Sequence, residues 1–306
     1  MRMEERDISV IVVTYQREQV LVDTLRYLLA QDYPAWELLV VDQTPAHAPE
    51  TEAFLAAHAD RLQWIRLEQP SMTHARNVGI QAARGEIVLF CDDDVIPVPH
   101  LLAAHARHYA DPSVGGVTGR TTAAIGGPHP RARQIRPDGS MISYPDASTL
   151  SETEAVFGCN MSWRRAALLR VGGFDEAYIR RAHHEETDVS LRVRRLGYRL
   201  VYDPEAAVEH LVAPGGSRIG AGSPEYAYGW HHNHAYFYSK HFAPRGLLSF
   251  LRIHIGHLVV RMVLGARQFH LIGPSLRGLV DGYRAGARKR RIEDSRSSLD
   301  SGGRHG

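Results

Sequence analysis

The stretch Phe90–Val95, which reads F-C-D-D-D-V, constrains this chain more than any other. The apolar run Ile87, Val88, Leu89, Phe90 ends abruptly in three consecutive carboxylates, Asp92, Asp93 and Asp94. Adjacent negative charges repel one another, and a hard divalent ion with oxygen ligands is the economical neutraliser, particularly one that also holds a phosphate. A short buried strand followed at once by acids puts them at its carboxyl end. In open α/β sheets that is where ligands bind.

The segments around this stretch predict the sheet it belongs to. Ile8–Val13 is a β-branched run of strand length, and Val20–Leu29 follows with apolar residues at helical spacing. Trp36–Val41 is a second apolar strand closed by Asp42, Glu50–Ala59 is helix-like, Leu62–Leu67 is a third strand, and Thr73–Ala83 is a helix carrying Arg76 and Asn77. Strands alternating with helices, each strand nearly continuous in apolar residues, predict a parallel sheet covered on both faces. Right-handed crossovers then bring Asp42 and the acidic triplet to one edge. The Gly-x-Gly-x-x-Gly phosphate loop and the P-loop are both missing, which argues against a dinucleotide-binding Rossmann domain.

Beyond the triplet, Pro97–Val117 continues with a helix and a short strand, and Thr121–Ser151 reads as an irregular or hairpin insertion of the kind that often forms lids. Ala166–Leu169 begins a helix stopped by Gly172-Gly173. Glu185–Leu196 is an amphipathic helix, and Arg199–Tyr202 and Ala206–His210 are short strands. Leu247–Ala266 is interrupted by Arg252, His254, His257 and Arg261; it and Leu276–Tyr283 could pack on the core, lie on a membrane surface or meet another subunit. The aromatic and histidine cluster Tyr226–His234 could cover a ligand or be packing.

A net charge of +2 excludes nothing, but its basic part is concentrated at the end of the chain, which reads as a frayed tail. Two cysteines, Cys91 and Cys159, make no disulfide framework and show no metal-ligand spacing; Cys91, ending a core strand, reads as a buried thiol. The opening M-R-M-E-E-R-D lacks a secretory apolar stretch, and no run of eighteen apolar residues occurs, so the expected location is cytoplasmic, with peripheral contact at the inner face of the cell membrane left open.

The pieces S-V-I-V-V-T-Y-Q-R, E-L-L-V-V-D, H-A-R-N-V-G, F-C-D-D-D-V, G-G-F-D-E, E-E-T-D-V-S-L-R-V-R-R-L-G-Y and V-E-H, in this order from residue 8 to 210, resemble the inverting family 2 glycosyltransferases. The resemblance implies the α/β GT-A fold, a Rossmann-like mixed central sheet flanked by helices over residues 1–242, and the sequence pattern adds a helical C-terminal extension over 243–290 and a disordered basic tail over 291–306. It implies transfer of a sugar from a nucleotide-diphosphate sugar to an acceptor hydroxyl, in polysaccharide, glycolipid or natural-product glycan synthesis. Thr14, Tyr15 and Arg17 would line the base pocket, Asp42 would accept from the base, and Arg76 and Asn77 would contact base or diphosphate. Asp93 would hold the ribose, and Asp92 would support the turn on the donor side. Asp94 of the DXD-type triplet and His210 would ligate Mg²⁺ or Mn²⁺.

The reaction also needs a base for the acceptor hydroxyl. The resemblance places it on Glu186, with Glu185 as its neighbour, although relatives more often show Glu-Asp there. Trp163, Asn160 and Asp188 are the implied acceptor contacts; Trp163 could equally be a core or interface residue, and Asp188 an N-terminal helical acid with Arg192 as its structural partner. The acceptor could be a glycan, a lipid-linked molecule or a small molecule. A nucleotidyltransferase and a catalytically silent nucleotide-sugar binder are the alternatives. The first lacks its Gly-rich basic signature loop, and the intact acids argue against the second. No nucleic acid is expected as a partner, and the sequence does not set the oligomeric state.

Overall fold

The computed structural model describes residues 7–122, 132–216, 220, 222–259 and 268–302, with side chains through 295. The elements run β1 (Ile8–Thr14), α1 (Gln19–Leu29), β2 (Trp36–Asp42), α2 (Pro49–Ala57), β3 (Leu62–Arg66), α3 (Met72–Ala82), β4 (Ile87–Cys91), β5 (Val95–Pro97), α4 (Leu101–Ala106), β6 (Val114–Thr122), β7 (Arg133–Ile135), β8 (Met141–Ser143), β9 (Ser151–Thr153), β10 (Asn160–Arg164), α5 (Arg165–Arg170), α6 (Glu185–Arg195) and β11 (Arg199–His210), followed by α7 (Pro224–His241), α8 (Leu247–Gly256) and α9 (Ile272–Gly302). By its internal contacts the chain divides into one unit of 1–134, 142–176 and 185–219 and a second of 135–141, 177–184 and 220–306.

The first unit is built on a mixed sheet in the order β3-β2-β1-β4-β10-β6-β11-β5, with β9 beside β11. β3, β2, β1 and β4 are parallel, while β10 runs antiparallel to both β4 and β6. Period-two alternation sends Val10, Val12, Leu38, Val40 and Leu89 to one face, under Leu21, Leu25 and Leu28 of α1 and Leu101 and Leu102 of α4. Ile11, Leu39, Val41, Val88 and Phe90 face the other way, onto Ala75 and Ile80 of α3 and Val189 and Val193 of α6. Near-continuous apolar strands are the consequence of having no solvent face, as the sequence predicted.

The strand expected as two short pieces, Arg199–Tyr202 and Ala206–His210, is one. β11 runs parallel to β6, shifts register between Asp203 and Val208, and then pairs antiparallel with β5 so that His210 stands opposite Val95. At this bulge the Ala206 carbonyl comes onto Gly119, where an added Cβ would lie 1.6 Å from its oxygen. Only glycine fits there.

The second unit contains α7, α8 and α9. Ser223 caps α7, accepting from the Tyr226 N–H at 3.1 Å, with Pro224 in the first turn. α9 carries Gly278, Gly282 and Gly286 at four-residue spacing, and Cβ atoms there would meet the carbonyl oxygens of Tyr228, His232 and Tyr236 of α7 at 2.4, 2.1 and 2.4 Å. The glycines let the two helix backbones approach. α7 therefore belongs with the C-terminal helices, and the division falls near 220 rather than at the expected 243. The segment expected to be a disordered tail from 291 is helical through Gly302, while the last four residues and 260–267 lie outside the described residues.

Tyr226–His234 is packing inside this unit. His231 is fully buried, its Nδ1 3.4 Å from that of His254, and His184 stacks on Phe237 with centroids 4.6 Å apart. Burial pushes His231 down to about 3 and His254 to about 4, so both are neutral aromatic fillers at neutral pH.

An exposed Gly→Ala change inside a helix gains up to about 1 kcal/mol, whereas overpacking costs about 1–3 kcal/mol. Gly282→Ala is expected to be net destabilising in chemical unfolding, and Gly273→Ala, which meets nothing within 4 Å, neutral or stabilising.

Candidate active site

The parallel register of β1 and β2 sets Thr14 opposite Asp42, and the acids follow β4 directly, so these side chains leave the sheet at one edge. Thr14 Oγ1 donates to Asp93 Oδ2 at 2.7 Å. Arg17 spans the next two carboxylates, with Nε 3.5 Å from Asp93 Oδ1 and Nη2 3.4 Å from Asp94 Oδ2, and also donates to the Pro214 carbonyl. The antiparallel end of β11 delivers His210, whose Nε2 lies 3.0 Å from Asp94 Oδ1 and 3.6 Å from Asp92 Oδ2. Burial pushes Asp93 up to about 7 against the opposing Thr14 hydrogen bond and Arg17 charge. Burial also acts on Asp94, but the hydrogen bonds from His210 and the Ala213 N–H and the charge of Arg17 outweigh it and hold this carboxyl below its usual range.

Negative charge at this edge is therefore incompletely neutralised, and the oxygens and imidazole nitrogen are hard and borderline donors suited to a divalent ion. Neighbouring ligands of an octahedral Mg²⁺ are about 3.0 Å apart. The separation of Asp94 and His210 matches that spacing, and the Asp92 side chain, 35% exposed, is the open carboxylate beside them. The residues present fit a cation.

A second acidic group begins α6. Glu185 is 3% exposed; one oxygen accepts from Arg76 Nη1, and the other is buried without a hydrogen-bond partner. Burial pushes its carboxyl up, and the charges of Glu186 and Asp92 act in the same direction, which places the two acidic groups in one electrostatic cluster. Glu186 Oε1 accepts from Arg133 Nη1 at 2.9 Å, and Arg133 is itself held by the Val156 carbonyl at 2.6 Å and the Phe157 ring at 4.2 Å. Arg133 has no signature in the sequence, because its partner lies far along the chain. Cys159 is the second addition: with Asp92 and His210 it forms the one group of potential metal donors found among the described residues.

Several expected ligand contacts are instead structural. Trp163 is fully buried in the core against Gly116 and cannot stack on a sugar. Asn160 is also fully buried: its amide donates to the Ala206 carbonyl of the bulge at 2.8 Å, and its oxygen accepts from His105 Nε2 at 2.9 Å. It therefore holds the end of β11 rather than an acceptor. Asp188 has no exposure and pairs with Arg192 at 2.7 Å, so the helical-pair reading stands without the acceptor contact.

The base-side residues differ as well. Asp42 is fully buried, accepting from the Thr44 N–H at 2.8 Å and Trp64 Nε1 at 2.9 Å, with His47 Nε2 at 2.8 Å. It anchors the turn after β2 instead of offering an open acceptor to a base. Asn77 is engaged with the Phe174 backbone, donating to its carbonyl at 2.9 Å and accepting from its N–H at 2.8 Å. Arg76, 4% exposed and lying over Phe90 and Phe174 at 5.7 and 5.2 Å, faces Glu185 rather than a diphosphate. Tyr15 is half-buried at the end of β1.

The family profile described as "Glycosyl transferase family 2" matches residues 9–172, more than half of the chain. The chain belongs to this family. A pre-mycofactocin glycosyltransferase of Mycobacterium tuberculosis is 31% identical over 176 residues, 56% of this chain but 37% of the relative, so this family 2 chain spans little more than a third of the length of that protein. A glucosyl-dolichyl phosphate glucuronosyltransferase of Haloferax volcanii is 24% identical, covering 66% of this chain and 68% of the relative. Among solved structures, the mannosyltransferase PcManGT from Pyrobaculum calidifontis in complex with GDP-Man and Mn²⁺ has a TM-score of 0.54 at 20% identity, covering 97% of this chain and 81% of that one. S. aureus TarS 1-349 in complex with UDP-GlcNAc has a TM-score of 0.57 at 18% identity, covering 94% and 92%. These neighbours establish the GT-A fold expected from the sequence.

The network behind Asn160 gives a pH prediction. His105 donates from Nε2, its Nδ1 faces Ser162 Oγ at 2.8 Å, and burial pushes it from 6.5 down to about 4. The unfolded state then binds the proton first, so this contribution to stability is complete above about pH 6.5 and is lost as pH falls toward 4. Urea unfolding at pH 7 and pH 5 is expected to show about 2 kcal/mol less acid destabilisation in His105→Gln than in the wild type.

Proposed function

We propose that this family 2 chain transfers a sugar from a nucleotide-diphosphate sugar to an acceptor hydroxyl, with inversion at the anomeric carbon and one divalent cation, Mg²⁺ or Mn²⁺. The observation that carries the reading is the meeting of His210 with Asp92 and Asp94 in the same charged cluster as Glu185 and Glu186. The Mn²⁺ named with PcManGT, and with GalNAc-T7 at a TM-score of 0.58 and 15% identity, supports a divalent ion.

Asp94 and His210 would hold the cation, with Asp92 beside them and Asp93, Thr14 and Arg17 supporting the loop from behind. Bound there, the cation supplies Lewis-acid stabilisation to the departing diphosphate. Glu186 takes the proton of the acceptor hydroxyl as its oxygen bonds to the anomeric carbon, while the bond to the diphosphate oxygen breaks on the opposite face. Arg133 sets the direction of the Glu186 carboxylate, and Arg76 fixes Glu185 behind it. Glu186→Gln is expected to lower nucleoside diphosphate release by about 10²-fold or more, while calorimetry with Mn²⁺ shows donor binding retained. Near-normal turnover in that variant would remove Glu186 as the base.

The proposal extends to a surface. None of the described helices is long and apolar enough to cross a membrane. α8, however, is inverted: Phe250 and His254 point inward, while Leu247, Leu248, Leu251, Ile255 and the following Val259 are exposed, Leu248 to 85%. Exposed Arg252 lies among them, and no Asp or Glu occurs between Glu225 and Asp281. The Asp138 carboxylate accepts from Ser249 of α8 and is the acid beside this stripe; the stripe with its exposed arginine suits an anionic lipid surface, and it favours a lipid-linked acceptor. The protein is expected to co-sediment with phosphatidylglycerol-containing vesicles, less so at high salt, and not with pure phosphatidylcholine; Leu248→Glu/Ile255→Glu is expected to stay in the supernatant. Undiminished vesicle binding by the double variant, or its loss of a lipid-independent dimer instead, would overturn this assignment.

A further inference from the structure

We infer that Cys159 joins His210 and Asp92, the carboxylate beside Asp94, in a three-ligand set that gives the site a preference for a thiophilic divalent ion such as Zn²⁺. The inference rests on the cation site proposed above and adds a soft donor to it. One carboxylate oxygen of Asp92, the Cys159 sulfur and one nitrogen of His210 all lie within 4.8 Å of one another. Ligands around a tetrahedral ion at zinc-like bond lengths are about 3.3–3.8 Å apart, so closing the triad needs movements of only about 1 Å.

The backbone explains how the thiol reaches this edge. Cys159 lies in the tight turn closed by the Phe157–Asn160 bridge, just before β10, and its carbonyl accepts from the Asp92 N–H at 3.3 Å. β10 and β4 are antiparallel with Asn160 opposite Cys91, so the residue before β10 faces the residue after β4. The thiol is half-buried, with Thr121 Oγ1 at 3.4 Å. Cys91, by contrast, is buried in the core on one face of the sheet. The chain thus holds one thiol at the acids and one that is purely packing.

Softness decides what such a site prefers. Carboxylates suit Mg²⁺ and Mn²⁺, imidazole already leans toward Zn²⁺, and a thiolate adds most for Zn²⁺ and Co²⁺ and little for the harder ions. Three protein ligands leave a fourth position for water or a diphosphate oxygen, the pattern of a reactive rather than a closed structural zinc site. The residue at 159 would therefore set which metal the site prefers.

The test is direct metal binding by the full chain. Titration with Co²⁺ is expected to produce thiolate-to-Co²⁺ charge-transfer absorption in the near ultraviolet, retained in Cys91→Ser, absent in Cys159→Ser and His210→Ala, and abolished by Zn²⁺. Cys159→Ser is expected to weaken Zn²⁺ binding at least about tenfold, the scale on which even outer-shell partners act, and to leave Mn²⁺ binding in the presence of nucleoside diphosphate unchanged. Mn²⁺ binding without any charge-transfer band on Co²⁺ addition overturns the Cys159 ligand and leaves the proposed cation site standing. Failure of the wild type to bind Mn²⁺, Co²⁺ or Zn²⁺, with or without UDP or GDP, overturns both.

Discussion

Negative charge gathered at the carboxyl ends of β2 and β4 is what the rest of the first unit has to accommodate. Four buried or half-buried acids, Asp42 and Asp92–Asp94, sit within a few residues of strand ends, and each is met by a different device. Asp42 is satisfied by Trp64, His47 and a backbone N–H; Asp93 by Thr14 and Arg17; Asp94 by Arg17, His210 and the Ala213 N–H. Asp92 is the least satisfied: Arg76 is committed to Glu185, and His210 lies closer to Asp94, at 3.0 Å, than to Asp92, at 3.6 Å. Burying charge is tolerable only when it is paired and hydrogen-bonded. The one incompletely paired position is therefore where an incoming cation gains most.

The arginines show why identity of residue type did not reveal role. Arg76 and Asn77 were expected to face a nucleotide, because the family resemblance implied it. The structure turns the first onto Glu185 and the second onto the Phe174 backbone, both far away in sequence. A sequence shows that a charged residue stands at the edge, but its partner is decided by the rotamer and by what folds against it. Strand–helix alternation, the parallel half of the sheet and its two covered faces were legible, because apolar periodicity reports burial directly. The meeting of His210 with the acids was legible only through family resemblance; physically it depends on the β11 bulge, after which the strand stays beside β6 and also takes β5 on its other side, which local patterning does not encode.

The second unit misled the sequence reading in the opposite direction. His254 looked like a polar break in an apolar helix. With Phe250 it is the inner face of α8, depressed in basicity by burial, while the leucines are the outer one. An aromatic ring without charge packs as well as a small apolar side chain, so His231 and His254 fill a core. The close α7–α9 seam was also invisible to periodicity, since glycine carries no apolar signal, although its four-residue recurrence marks the path of the partner backbone.

The β11 bulge couples chain length to chemistry. Along a strand successive side chains alternate faces, so adding or removing a single residue between Asp203 and Val208 would turn the imidazole of His210 away from the acids without changing any residue that touches them. Gly119, which gives Ala206 its room, and Asn160, which binds its carbonyl, act as the register pin for a donor atom that neither of them contacts. Relatives that share every motif but differ in length across this corner would then present a different set of ligands to the same acids.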